Sequence, residues 1–219
     1  MNEQLIQSFS VYALPVLFAI TLHEAAHAYA AKYFGDSTAY QQGRVSLNPI
    51  KHIDPIGTLL IPIVLYFAGS PFLFGYAKPV PVDFSRLRNP RRQMAWVALA
   101  GPMANLVMAL MWQVLLMLLV AAHSDEAFFI QVATAGVWTN FVIFAFNLFP
   151  IPPLDGGRIL TSMLPHKYAY KFAQIEPYGF FIVLALAYLK IISFWMGPVI
   201  LIAQTVLNVL LLPLSLLLN

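Results

Sequence analysis

The sequence contains no cysteine, which excludes disulfide bonds and metal sites built from thiolates. It is also poor in charge: Asp, Glu, Lys and Arg make up 10% of its 219 residues, against about 25% in soluble domains. Apolar side chains account for 60% of the chain, and the mean hydropathy is +0.76. Apolar runs of about 20 residues recur, which is the length that crosses a bilayer. The composition therefore predicts an all-α, polytopic membrane protein.

The net charge of +3 is small, and most basic residues lie between the apolar runs. This distribution is typical of residues that set membrane orientation, and it argues against nucleic-acid binding. The start of the chain has no basic stretch before its first apolar run, so we expect a retained helix and not a cleaved signal. We expect one domain over residues 1–219, in contact with the lipid bilayer. The sequence leaves open whether the protein forms a homo-oligomer.

The apolar segments predict five to six transmembrane helices. They cover residues 11–34, 56–77, 94–122, 128–149, 178–193 and 194–218. The second of these segments differs from the others because prolines and glycines interrupt it. Such a segment suits a re-entrant or broken hairpin, provided that protein covers the freed backbone groups.

Charge in the loops supports the re-entrant interpretation. Loops 35–55, 78–92 and 150–178 carry Lys and Arg, whereas the turn 121–127 has neither. Basic loops prefer the cytoplasm. All three basic loops reach that side only if 56–77 enters and leaves the membrane on one side, which is the topology we predict.

The stretch HEAAH places two histidines and a glutamate within the first apolar segment. His23 and His27 are four positions apart, so on a helix both imidazoles reach a single ion, with Glu24 beside them. Without a metal, three polar groups would lie unpaired in hydrocarbon, where one charged side chain costs about 2.5–3.5 kcal/mol. The pattern predicts one zinc ion per chain, with Glu24 as general base toward an activated water.

A third protein ligand is needed, and Asp155 in PLDGG is the best candidate. Prolines end the helix before it, and Gly156 and Gly157 let the backbone approach another element closely. Asp-Gly-Gly also fits a helix N-cap or a turn, so the ligand role is not required by this sequence. The competing candidates for the third ligand are His52 and Asp54, which lie in a more polar stretch.

Three motifs taken together resemble those of the site-2 protease family of intramembrane zinc metalloproteases: HEAAH, GPMAN at 101–105 and NLFPIPPLDGG at 147–157. GRVSLNPIKHIDPIGTLLIP and GYAKPVPV are similar to the small prokaryotic members, which lack PDZ and CBS domains. The resemblance covers about residues 20–160. It implies a catalytic core at about 8–160, followed by C-terminal helices at about 178–218.

By this resemblance His23, His27 and Asp155 bind zinc, and Glu24 is the catalytic base. Asn147 corresponds to a residue that steadies the substrate or the oxyanion, and an interhelical hydrogen bond is the alternative role for this side chain. The substrate would be a transmembrane protein, such as a membrane-bound regulator. The enzyme would lie in a prokaryotic cell membrane with its active site toward the cytoplasm.

Two further stretches are open to two interpretations. Residues 72–84, FLFGYAKPVPVDF, form either a strand edge or short β-hairpin that holds an unwound substrate, or an irregular loop. Asn105 is interpreted as a packing or helix-start residue, because Gly101-Pro102 before it suggests a tight helix entry.

A membrane metal or ion transporter is the alternative function for the same His and Asp cluster. Transporters are often built from repeated halves with broken helices, and the sequence shows no repeat. A transporter would also have no use for Glu24 as a base. Hydrolysis is therefore the favoured function.

Overall fold

The computed structural model describes residues 2–61, 63–64, 78–123 and 126–218. The long helices in this part of the chain are α1 (Asn2–Phe34), α3 (Pro90–Ala121), α4 (Ala127–Asn147) and α8 (Ile191–Leu218). The shorter ones are α2 (Thr38–Gln41), α5 (Asp155–Met163), α6 (His166–Ala173) and α7 (Glu176–Tyr188). Single helical turns occur at Pro49–Lys51, Pro55–Leu60 and Phe84–Arg86. No β-strand occurs among the described residues.

Within the described residues, four helices are long and apolar enough to cross a membrane: Gln7–Phe34, Pro90–Ala121, Ala127–Asn147 and Ile191–Leu218. The prediction of an all-α, polytopic membrane protein is confirmed. A fifth apolar helix, α7, has 13 residues. At 1.5 Å per residue it is about 20 Å long, against about 30 Å for the hydrocarbon core.

The long helices α1 and α3 run antiparallel. Asn105 of α3 contacts the Ala19 carbonyl of α1. Val97, two turns earlier in α3, contacts His27, which lies two turns later in α1. The HEAAH stretch therefore faces the first half of α3.

The main apolar core lies between α3, α4 and α8. The indole of Trp195, near the start of α8, donates to the Ala145 carbonyl near the end of α4 at 3.2 Å, so these helices are also antiparallel. Their buried side chains form one cluster: Ala109, Val137, Phe141, Phe144, Ala145, Ala203 and Leu207. It follows that α1 and α4 finish, and α3 and α8 begin, at the same end of the bundle, which we call the site end.

The loops that flank the predicted re-entrant segment 56–77 meet at the site end. The Lys78 N–H donates to the His52 carbonyl at 2.9 Å, and the Asp83 N–H donates to Asp36 Oδ2 at 2.8 Å. The two ends of the segment therefore lie close together. Residue 62 and residues 65–77 lie outside the described part, so the re-entrant path itself stays a prediction.

Residues 78–83, which we call the proline segment, form neither helix nor strand. They lead into the turn Phe84–Arg86. The described half of the predicted strand edge at 72–84 is thus an irregular loop, and residues 72–77 lie outside the described part.

The predicted boundary between the last two helices, at 193/194, is wrong. Helix α7 ends at Tyr188, and Lys190 adopts a left-handed conformation (φ 61°) before α8 begins at Ile191. Both ends of α7 lie at the site end, because Gly179 packs on the Pro152 carbonyl and Ile192 packs with Phe149. Helix α7 therefore lies beside the site end, and α8 provides the crossing.

Candidate active site

Two residues of α1 and the first residue of α5 form a cluster of possible metal ligands. His23 Nε2 lies 3.2 Å and His27 Nε2 lies 3.4 Å from Asp155 Oδ2. The two Nε2 atoms are 3.0 Å apart. His23 and Asp155 are 6% and 5% exposed. The structure thus brings together the three residues that the sequence predicted to meet.

The hydrogen bonds at the two Nδ1 atoms indicate which imidazole nitrogens are available to bind a metal. His27 Nδ1 lies 2.7 Å from the Val97 carbonyl oxygen, which only accepts, so Nδ1 carries a proton, and in the neutral imidazole Nε2 carries a lone pair. His23 Nδ1 lies 2.6 Å from Asn105 Oδ1, in the corresponding arrangement. Asp155 Oδ2 is buried and accepts no hydrogen bond from the described residues.

Three electron-pair donors therefore face one another within 4.8 Å without a hydrogen between them. Buried carboxylates without a hydrogen bond are paired with a cation or coordinate a metal. Two neutral imidazoles and one carboxylate are a donor set that suits zinc and leaves a coordination position open for water or substrate. The residues present therefore fit a zinc ion.

Close backbone packing delivers Asp155 to the cluster. A Cβ at Gly156 would collide with the Leu148 carbonyl at the end of α4, and one at Gly157 would collide with Pro152. Only glycine lets α5 start this close to α4. The predicted close approach of the Gly-Gly pair is confirmed.

Gly101 of α3 lies directly against the imidazoles. A Cβ at this position would collide with His27 Nε2 and Cε1, and with His23 Cε1. This contact was not predicted from the sequence. The signal was present in GPMAN, where a glycine precedes a helix-interior proline.

We expect Gly101→Ala to displace both imidazoles and to lower zinc affinity at least about tenfold, as losses of supporting groups around metal ligands do. The measurement is competition for zinc between the purified protein and a chelator of known affinity. The matched control is Gly197→Ala in α8, where an added Cβ meets nothing within 4 Å. Equal affinity in the two variants would contradict the expected displacement.

Glu24 lies beside the cluster and is half-buried. Its Oε2 accepts the Val80 N–H of the proline segment at 2.7 Å. Glu24, both histidines and Asp155 line one open cavity of about 620 Å³, which residues of the proline segment, the end of α4 and α7 also line. The carboxylate thus faces the same space as the three possible ligands.

The other site residues that the sequence suggested either lie outside the cluster or hydrogen-bond to the backbone instead. Asn147 lines the cavity, and its amide donates to the Ile143 carbonyl of its own helix at 3.0 Å. His52 is buried with Nε2 2.8 Å from the Ser46 carbonyl oxygen. Asp54 accepts the backbone N–H groups at the start of Pro55–Leu60. Neither His52 nor Asp54 belongs to the cluster.

Asn105 is the second residue whose contact with the site was not predicted from the sequence. It lies in the middle of α3, not at a helix start, and it is fully buried against His23. The interpretation as a helix-start residue is therefore wrong. An amide inside an apolar helix was the available signal.

Comparison with known proteins adds independent evidence. Residues 118–189 match the family model described as Peptidase family M50. YwhC of Bacillus subtilis is 40% identical over 197 residues, covering 85% of this chain and 84% of that protein. Rip2 of Mycolicibacterium smegmatis is 33% identical over 182 residues, covering 82% of this chain and 67% of that protein. Both names describe zinc metalloproteases.

Rip2 of Mycobacterium tuberculosis H37Rv, also named as a zinc metalloprotease, is 29% identical over 192 residues, covering 84% of this chain and 69% of that protein. No solved structure matches the chain. The relatives are similar along most of their length, so the similarity is not confined to one motif. The chain belongs to peptidase family M50, the site-2 protease family, and is an integral-membrane zinc metalloprotease.

Proposed function

We propose that this protein is an intramembrane protease that hydrolyses peptide bonds within or near the transmembrane segments of membrane-bound proteins, such as regulators. His23, His27 and Asp155 hold one zinc ion per chain. The observation that carries the proposal is that these ligand atoms converge beside a carboxylate inside a membrane-spanning bundle. Zinc at such a site supplies Lewis acidity and activates water.

Glu24 is the general base in this proposal. Its carboxylate takes a proton from the attacking water and later delivers it to the leaving amine. The Val80 N–H holds Oε2 and so fixes the carboxylate beside the ligands. Asn147 lines the same cavity and donates to the developing oxyanion once its amide leaves the Ile143 carbonyl.

A transmembrane substrate hides its peptide bonds within its own helix, so it must unwind before water can attack. The proline segment is suited to hold the unwound chain. Val82 lines the cavity, and its backbone N–H and carbonyl have no partner among the described residues. These groups pair with the main chain of the substrate, as in other cases of recognition by an exposed backbone edge.

The orientation follows from the basic residues. Arg44, Lys51, Lys190 and the basic loop 78–92 lie next to helix ends at the site end, and Arg158 lies within α5. By the preference of basic loops for the cytoplasm, the active site opens toward the cytoplasmic side of a prokaryotic cell membrane.

Removal of the metal tests the function. Purified protein in lipid is expected to contain about one zinc per chain and to cleave members of a panel of single-span membrane peptides. Treatment with 1,10-phenanthroline should abolish cleavage, and added zinc should restore it. The non-chelating isomer 1,7-phenanthroline is the control.

Two outcomes would overturn the proposal. One is a zinc-free protein that cleaves as well as the zinc-loaded one. The other is a metal-dependent ion flux through vesicles without any cleavage, which would establish a transporter instead.

A further inference from the structure

We propose that Asn105 is a positioning residue that fixes the proton and the orientation of His23, and thereby sets the affinity of the site for zinc. The inference rests on the proposed function, because it takes His23 as a zinc ligand. It is carried by hydrogen bonds that connect His23 to two backbone carbonyls through two buried amides.

The first carbonyl determines which way the Asn105 amide points. The Ala19 carbonyl oxygen lies 3.2 Å from one end of this amide, and a carbonyl only accepts, so that end is the nitrogen. The other end, Oδ1, then faces His23 Nδ1 at 2.6 Å. An oxygen without a hydrogen requires a proton on Nδ1, so the neutral imidazole has its lone pair on Nε2, the atom 3.2 Å from Asp155 Oδ2.

The second carbonyl, that of Gly136, determines the orientation of the Asn140 amide. Asn140 Nδ2 donates to the Gly136 carbonyl at 2.8 Å, so Asn140 Oδ1 is the acceptor for Asn105 Nδ2 at 2.9 Å. Both asparagines are fully buried. Backbone carbonyls of α1 and α4 therefore fix the orientation of both amides, and with it the donor in each hydrogen bond between Gly136 and His23. Neither amide can flip without losing hydrogen bonds.

The two histidines differ in how they are held. His27 donates to a backbone carbonyl, that of Val97, which no side-chain substitution removes. His23 donates to a side chain. Removal of the Asn105 amide therefore leaves the His23 imidazole without its hydrogen-bond acceptor, while the His27 imidazole keeps the Val97 carbonyl. Partners of this kind fix the tautomer and ring orientation of metal-binding histidines, and their loss weakens metal affinity about 10–100-fold.

The test is zinc affinity, measured by chelator competition on the full-length protein in lipid. We expect Asn105→Ala to bind zinc about 10–100 times more weakly than wild type, and excess zinc to restore most of its cleavage. Asn105→Asp keeps an oxygen toward His23 but loses the donor to the Ala19 carbonyl and Asn140 Oδ1, so it should bind zinc more tightly than Asn105→Ala and more weakly than wild type. Met108→Ala, at a buried position one turn further along α3, is the matched control for loss of packing. It should leave zinc affinity unchanged.

The inference is overturned if Asn105→Ala binds zinc as tightly as wild type while Asp155→Ala does not, and the proposed function then stands. It is also overturned if Met108→Ala loses zinc affinity to the same extent, since the effect would then be one of packing. Should Asn105→Ala fail to fold, Asn105→Leu fills a similar space without an acceptor and answers the same question. A wild type that binds no zinc would instead remove the proposed function itself.

Discussion

The Glu24→Gln protein is expected to keep its zinc and to cleave peptides about 10²–10⁴-fold more slowly than wild type, which is the usual contribution of a general base. The amide has nearly the shape of the carboxylate, and its oxygen can still accept the Val80 N–H. It cannot take a proton from water. Zinc content and the rate of cleavage, measured on one preparation with one single-span peptide, check both halves of this expectation.

A carboxylate remote from the cavity provides the control for Glu24. Glu126 lies in the turn between α3 and α4, at the opposite end of the bundle, and Glu126→Gln should cleave as wild type does. Wild-type cleavage by Glu24→Gln would show that another group acts as the base. A metal-dependent ion flux that survives in Glu24→Gln would favour the transporter.

The Asp155→Ala protein is expected to lose zinc affinity by more than about 100-fold, beyond the effect of losing a supporting group. Asp155 provides the one oxygen in the cluster and the one ligand that does not come from α1. Without it, two imidazoles on a single helix remain, and cleavage should fall to background at zinc concentrations that saturate wild type. Chelator competition and cleavage at several zinc concentrations provide the measurement.

Asp54→Ala is the matched comparison, because Asp54 was the competing aspartate in the sequence. In the structure its side chain caps the turn Pro55–Leu60. We expect this variant to bind zinc as wild type does. Loss of zinc from Asp54→Ala together with full retention by Asp155→Ala would reverse the assignment of the third ligand.

Local sequence was sufficient for the part of the site that lies on one helix. His23 and His27 share a face of α1 because four residues are close to one helical turn, and this requires no knowledge of the fold. Asp155 was found through its apolar context and the two glycines after it. Both signals are local, and the structure places all three residues together.

Asn105 and Gly101 were missed because their roles exist only between helices. The Asn105 amide is defined by Ala19 of α1 and Asn140 of α4, which are distant in the sequence. Gly101 is recognisable only once both imidazoles lie against it. A pattern of residue types within α3 carries no information about which partner each position faces.

The end of α7 was misplaced for a related reason. Hydropathy shows no break between the last two apolar segments until Lys190, and a single lysine near the bilayer surface does not define a turn. In the structure that lysine adopts a left-handed conformation, which is uncommon for a residue with a side chain. Packing of both neighbouring helices on the end of α4 determines the turn.

The alternation of prolines in residues 78–83 also makes this short loop intolerant of changes in length. Val80 supplies the N–H that Glu24 accepts, and its neighbours Pro79 and Pro81 have none to offer. A slip of one residue in either direction would therefore set a nitrogen without hydrogen opposite the carboxylate. Most surface loops accept an inserted or deleted residue, but this one has a register, fixed as strictly as that of paired strands.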